Sequence, residues 1–131
     1  MLKYFIKSTP LPSKNGYEFK MQHSFEKRKE ESSRIIEKYP DKIPIILEKS
    51  DSSSLPKINK QKFLLPKDLT VGQFLYINRR DIKLEPTQAI FIFVNNSVIP
   101  STTQSIGSVY LENADKDGFL YVTYSAEQAF G

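Results

Sequence analysis

The sequence has no cysteine and only one histidine, His23. Without thiols there can be no disulfide, no thiolate nucleophile and no thiolate zinc site, and the composition is compatible with a reducing compartment. A single histidine cannot assemble a multi-histidine metal site, and beside a helix start it reads as structural. No metal and no cofactor is therefore expected. The five glycines stand at 16, 72, 107, 118 and 131, and none belongs to a GxGxxG or GxxxxGK loop that could cradle phosphate. The neighbouring acids Glu30 with Glu31, and Asp115 with Asp117, read as surface pairs outside any desolvated cleft, so they carry no expectation of acid/base catalysis. The chain is thus expected not to be an enzyme. Long apolar runs are also missing. Nothing approaches the roughly 20 residues needed to span a bilayer, and residues 2–6, interrupted by Lys3, are too short for a signal-peptide core. The expectation is a cytoplasmic protein.

What is present suits one globular domain, with 131 residues of which 39% are hydrophobic. Charge is unevenly placed. Residues 1–49 carry 11 Lys/Arg against 7 Asp/Glu, whereas residues 50–131 carry 8 of each. A second local excess runs from Lys57 to Lys83, where Lys57, Lys60, Lys62, Lys67, Arg79, Arg80 and Lys83 face only Asp68 and Asp81. Such patches favour acidic partners, although any isolated one can equally be a solvated lysine face. No nucleic-acid module accompanies the lysines, so nucleic acid is not an expected partner.

Residues 1–16 lack periodicity and read as a flexible N-terminal extension to a domain at 17–131. Ser24 offers an N-cap, and Phe25, Arg28, Ser32, Ile35, Ile36 and Tyr39 recur at helical spacing until Pro40, predicting a helix over 24–38. Ile43, Ile45 and Leu47 alternate with Pro44, Ile46 and Glu48, a strand apolar on both faces. Ser50 to Pro56 reads as a loop. Lys60 to Leu65 alternates again, with Phe63 and Leu65 on one face and Lys60, Lys62 and Leu64 on the other. Thr70 with Gln73 forms a capping box ahead of a helix over 71–81, whose apolar positions include Val71, Phe74, Leu75, Ile77 and Ile82. A strand over 89–94 ends at the Asn95-Asn96 turn, Ile106, Val109 and Tyr110 suggest a short helix, and Asp117-Gly118 turns into a last strand over 119–124. This order implies an α+β fold of the ubiquitin-like β-grasp type, with an additional N-terminal helical region packed on the core.

Six blocks carry a resemblance. They are His23-Ser24-Phe25-Glu26-Lys27-Arg28, Lys38-Tyr39-Pro40-Asp41-Lys42-Ile43-Pro44, Lys62-Phe63-Leu64-Leu65-Pro66, Asp68-Leu69-Thr70-Val71-Gly72-Gln73-Phe74, Phe93-Val94-Asn95-Asn96 and Asp117-Gly118-Phe119-Leu120-Tyr121. In order and spacing they resemble the autophagy ubiquitin-like modifiers, the GABARAP family, and the resemblance covers residues 17–131. It implies a protein joined through its terminal glycine, here Gly131, to phosphatidylethanolamine on autophagosomal membranes. Such a protein recruits cargo receptors and adaptors through short peptides that bear an aromatic residue and, three positions later, an aliphatic one. By similarity, Glu31, Ile35, Pro44, Lys62, Leu64 and Phe119 wall the aromatic pocket, with Lys60 at its rim. The aliphatic pocket uses Phe63, Leu65, Pro66, Leu69, Phe74 and Ile77. Helix periodicity alone assigns Leu69, Phe74 and Ile77 to the core, so a shared role is expected of them.

The partners implied by the resemblance are those peptides, the activating and conjugating enzymes of a ubiquitin-like cascade, a processing or delipidating cysteine protease, and the membrane lipid. Family members commonly carry residues beyond the glycine, whereas this chain ends on it. The competing reading is an unconjugated trafficking or cytoskeletal adaptor that uses the same groove, with the basic N-terminal segment on the acidic surface of tubulin. Three departures from the family pattern stand out. Asp81 replaces an arginine in the usual Arg-Lys-Arg run, Ser97 is inserted after Asn95-Asn96, and Ser101 stands for the second of two prolines, which implies a local loop conformation.

Overall fold

The computed structural model describes residues 17–58 and 60–126. The extension over 1–16 and the terminal Gly131 lie outside the described residues. Four strands, β1 (Lys42–Lys49), β2 (Lys62–Pro66), β3 (Phe91–Val94) and β4 (Leu120–Ser125), form one sheet in the order β2-β1-β4-β3. The two central strands run parallel, and each outer strand is antiparallel to its neighbour. β1 takes a central place because both its faces are apolar and both must be covered.

On one face Ile43, Ile45 and Leu47 join Phe63, Leu65, Leu120, Val122 and Tyr124 in the larger core. α3 (Val71–Ile82) crosses this face with Val71, Phe74 and Ile82 buried, and Phe63 meets Phe74 edge-on at 5.7 Å between ring centres. The Thr70/Gln73 capping box forms at its start. α4 (Ile106–Asn113), capped by Ser105, adds Ile106 and Val109. The buried stripe of α3 also contains Asn78, fully enclosed, whose amide nitrogen and oxygen have no hydrogen-bond partner among the described residues. No helix among the described residues is long and apolar enough to cross a membrane.

The opposite face is covered by α1 (Glu18–Gln22) and α2 (Phe25–Lys38), which enclose a second cluster of Tyr17, Phe19, Ile46, Phe119 and Tyr121. α1 is an element that sequence periodicity does not reveal, because five residues are too few to display a helical face. β2 and β3 begin at Lys62 and Phe91, each two residues later than the sequence suggests. α2 forms where its N-cap and Pro40 place it, with the Ser24 hydroxyl accepting from the Lys27 N–H. Its expected apolar face is another matter. Phe25, Ile36 and Tyr39 are 44%, 37% and 40% exposed, and the fully buried side chain of the helix is Ser32.

The reason is a polar contact that the sequence reading assigned to the surface. Asp117 is fully buried. Its carboxylate accepts from Arg28 Nη1 at 2.6 Å, from the Tyr121 hydroxyl at 2.5 Å and from the Phe119 N–H at 2.9 Å, and the Ser32 hydroxyl donates to its carbonyl. Gly118 follows at φ +93°, where a Cβ would run into Ser32. α2 therefore docks through Arg28 and Ser32. Burial, with the hydrogen bond to Asp117 and its charge, pushes the Tyr121 hydroxyl far above the usual tyrosine range. Burial opposes the charge of Arg28, but its bonds to Tyr121 and Asp117 more than compensate and raise its pKa further.

α1 is fastened at its first turn by two side-chain contacts. The Glu48 carboxylate accepts the N–H groups of Glu18 and Phe19, both at 2.9 Å, and the Gln61 amide at 2.8 Å. Burial still leaves Glu48 above the ordinary carboxylate range, although those bonds oppose it. Lys20 reaches Asp115 at 2.7 Å. Burial by itself would raise Asp115, but the Lys20 hydrogen bond, the Asp117 N–H and the charges of Lys20 and Arg28 outweigh it and hold the carboxyl below its usual range.

Two outcomes follow for stability. Arg28→Met leaves Asp117 buried without its cation and should cost about 3–5 kcal/mol in urea unfolding. Because the Asp115 pKa is depressed, its contribution is full above the unfolded value of about 4 and is lost as pH falls through the folded one. Lowering the pH below about 4 should therefore speed amide exchange at Asp117, whose N–H the Asp115 carboxylate accepts at 3.0 Å, relative to the sheet. In Lys20→Met the acid-dependent increment should be smaller.

Candidate functional site

Among the described residues β2 is an edge strand, paired only with β1. Its register sets Ile43 opposite Leu65 and Ile45 opposite Phe63. Flanking bonds from the Leu47 N–H to the Gln61 carbonyl (2.8 Å) and from the Lys67 N–H to the Asp41 carbonyl (3.1 Å) fix the phase of the ladder. Odd-numbered residues of β2 therefore bond inward to β1, while the N–H and C=O of Lys62 and Leu64 point outward. Pro66 has no N–H, so the outward row of donors stops there. An extended chain can add to this edge as a further strand.

The two faces of β2 differ. Phe63 and Leu65 point towards α3 and are buried, whereas Lys62, Leu64 and Pro66 are exposed. On the α2 side, Leu64 lies opposite Pro44. Lys62 pairs with Glu31 of α2 at 2.7 Å and holds its ammonium 5.4 Å from the Phe19 ring centre. Ile35 is half-buried against the second cluster, and Phe119, fully buried, packs edge-on to Phe19 at 5.4 Å. Glu31, Ile35, Pro44, Lys62 and Leu64 thus border the same face, with Phe119 and Phe19 beneath it. Phe19 was not among the residues picked from the sequence. The signal available for it was the Tyr17/Phe19 alternation just ahead of α2.

On the α3 side, Phe63, Leu65 and Phe74 belong to the core, Leu69 packs against it half-buried, and Ile77 is half-buried one turn along from Phe74. The accessible part of this side is therefore Leu69, Ile77 and Pro66. Lys60, expected at the rim of the aromatic pocket, sits instead with its ammonium 4.7 Å from the Phe63 ring centre, towards the α3 side. Asp81 is one turn beyond Ile77 and has Arg80 as its neighbouring cation at 3.6 Å. The Ser101 loop is a turn in which the Gln104 N–H donates to the Ser101 carbonyl and the Ser101 and Thr103 hydroxyls bond each other at 3.0 Å. No cluster of metal-ligating side chains occurs among the described residues.

The chain is similar in sequence and in fold to known proteins. The family model described as "Autophagy protein Atg8 ubiquitin like" matches residues 27–131. Autophagy-related protein 8e of Arabidopsis thaliana is 57% identical over 116 residues, covering 88% of this chain and 94% of the relative. Autophagy-related protein 8 of Mycosarcoma maydis is 57% identical over 113 residues, covering 86% and 95%. In structure, the crystallised ATG8 of Trypanosoma brucei superposes with a TM-score of 0.81 at 38% identity, covering 88% of this chain and 99% of that one.

Proposed function

This chain belongs to the Atg8 ubiquitin-like family of autophagy proteins, and from that footing we propose that it is a modifier joined to phosphatidylethanolamine through Gly131, and a receptor for short aromatic-x-x-aliphatic peptides, rather than an enzyme. The observation that carries the peptide reading is the open β2 edge with an apolar recess on each side. In an extended strand, residues three apart point to opposite faces. A peptide paired with Lys62 and Leu64 would send its aromatic residue towards Pro44, Leu64 and Ile35, and its aliphatic residue towards Leu69 and Ile77. Lys60 and Lys62 would meet acidic residues that flank the motif, with screening by salt.

The conjugation reading is supported by the family match, which extends to residue 131, and by the chemistry of a terminal glycine. A residue without Cβ passes through a narrow channel and accepts any φ. ATP would adenylate the Gly131 carboxylate with loss of pyrophosphate, and an enzyme thiolate would displace AMP. The lipid amine would then attack the thioester, forming the amide and releasing the thiol. Two acyl chains, at about 0.8 kcal/mol per buried methylene, hold a protein on a membrane where one chain is marginal. Activating and conjugating enzymes, a delipidating cysteine protease and peptide-bearing receptors are the partners this implies, and the autophagosomal membrane is the destination.

A pair of variants tests both halves. Deleting Gly131 should abolish lipid attachment in a reconstituted reaction while peptide affinity stays at the wild-type value. Ile77→Ala should keep lipid attachment and lose roughly 1–3 kcal/mol of peptide affinity by calorimetry. Lipid attachment of the deletion mutant, or none with the wild type and matched enzymes, would leave the unconjugated adaptor as the better description. Asp81→Arg should also raise affinity for acidic peptides at low salt, with the gain shrinking as salt is added; no such gain would mean that Asp81 faces away from the ligand.

A further inference from the structure

The aromatic side of the β2 edge is backed by Phe19 of α1, and the backbone of Phe19 is held by a carboxylate of the sheet. Along β1, Pro44, Ile46 and Glu48 alternate with the core residues Ile43, Ile45 and Leu47, so the first three form a row on the α2 face. Pro44 borders the recess at one end of that row. Glu48, at the other end, reaches α1, where its Oε1 accepts the Glu18 N–H and its Oε2 the Phe19 N–H, both at 2.9 Å. Oε2 also accepts from the side-chain amide of Gln61 at 2.8 Å, one residue before β2 begins. One carboxylate therefore joins the first turn of α1 to the chain that enters the edge strand.

The first N–H groups of a helix find no acceptor within it, and Tyr17, the N-cap residue of α1, makes no side-chain cap bond. Glu48 supplies those acceptors from the sheet, and a helix of five residues is too short to keep its place without such contacts. Phe19 carries the position onward. Its ring is buried, lies edge-on to Phe119 at 5.4 Å, and has the Lys62 ammonium 5.4 Å from its centre. Phe119 and Lys62 both belong to the aromatic side of the edge, whereas Leu69 and α3 stand on the opposite face of the sheet with the larger core.

We propose that Glu48 is a positioning residue of the peptide site, which by holding the backbone of Phe19 fixes the support beneath Phe119 and Lys62 and so tunes the aromatic recess but not the aliphatic one. The role rests on the peptide reading given above, and Glu48 acts through Phe19 rather than by touching the ligand.

The test uses three peptides and NMR titration. The parent peptide carries phenylalanine, leucine three positions later and no charged flanks, and the others replace each of those residues by alanine. Uncharged flanks remove the gain that loss of a nearby acid would bring to an acidic ligand. Glu48→Ala should weaken the parent about ten-fold, as expected when a charge-assisted hydrogen bond is lost. The peptide lacking leucine should also lose about ten-fold, but the one lacking phenylalanine less than about two-fold, a coupling that general loosening of the fold would not confine to one position. Glu48→Gln, which keeps one acceptor oxygen, should fall between wild type and Glu48→Ala, and it carries the test if the alanine variant does not fold. Amide exchange at Phe19 should be at least about five-fold faster in Glu48→Ala, and faster than wild type in Glu48→Gln. Unchanged exchange would overturn the hold on α1, and either no loss of affinity or an equal loss for all three peptides would overturn the positioning role. If the wild type does not bind the parent peptide, the peptide reading is what fails, whatever the exchange rates, and the positioning role falls with it.

Discussion

The carboxylate of Asp117 has no access to water and must be matched inside the protein, because a buried charge without a partner costs several kcal/mol. It is matched from three directions, by Arg28 of α2, by Tyr121 of β4 and by the backbone of Phe119. This contact decides how α2 lies on the sheet. With Ser32 against the Asp117 carbonyl and Gly118 giving way beneath it, the helix is held by directional bonds rather than by an apolar stripe. The cluster of Tyr17, Phe19, Ile46, Phe119 and Tyr121 is covered by α1 and α2 together, with Ile35 of α2 packed against it.

That placement in turn shapes the edge of the sheet. β1 and β4 occupy the centre, which leaves β2 with an open row of backbone groups. Such an edge invites pairing with any chain, and here it is short, carries Lys62 facing outward and ends at Pro66, all of which limit indiscriminate addition. Glu31 of α2 reaches Lys62 across one side of the strand, and α3 stands on the other. The same two helices that cover the sheet also border the recesses beside its free edge.

Much of this was legible in the residues themselves. The Ser24 cap, the Thr70/Gln73 box, the two-sided β1, the Asn95-Asn96 turn and the Gly118 turn are local signals, each decided by neighbours a few positions away, and the six blocks led to the β-grasp family. What the sequence could not tell was which polar residues would be enclosed. Asp115 and Asp117 look alike on paper, yet one is half-shielded beside Lys20 and the other wholly buried against Arg28, 89 positions earlier. Phe25, Ile36 and Tyr39 satisfy a helical period but stay largely exposed, and α1 is too short to show a period at all. Local pattern determined where α2 and α3 begin and end and where the chain turns, because caps and positive-φ residues act within a few bonds. The burial of Asp117, the seat of Lys60 over Phe63 and the joining of Glu48 to Phe19 were decided only in the tertiary structure, because each depends on a partner brought from a distant element.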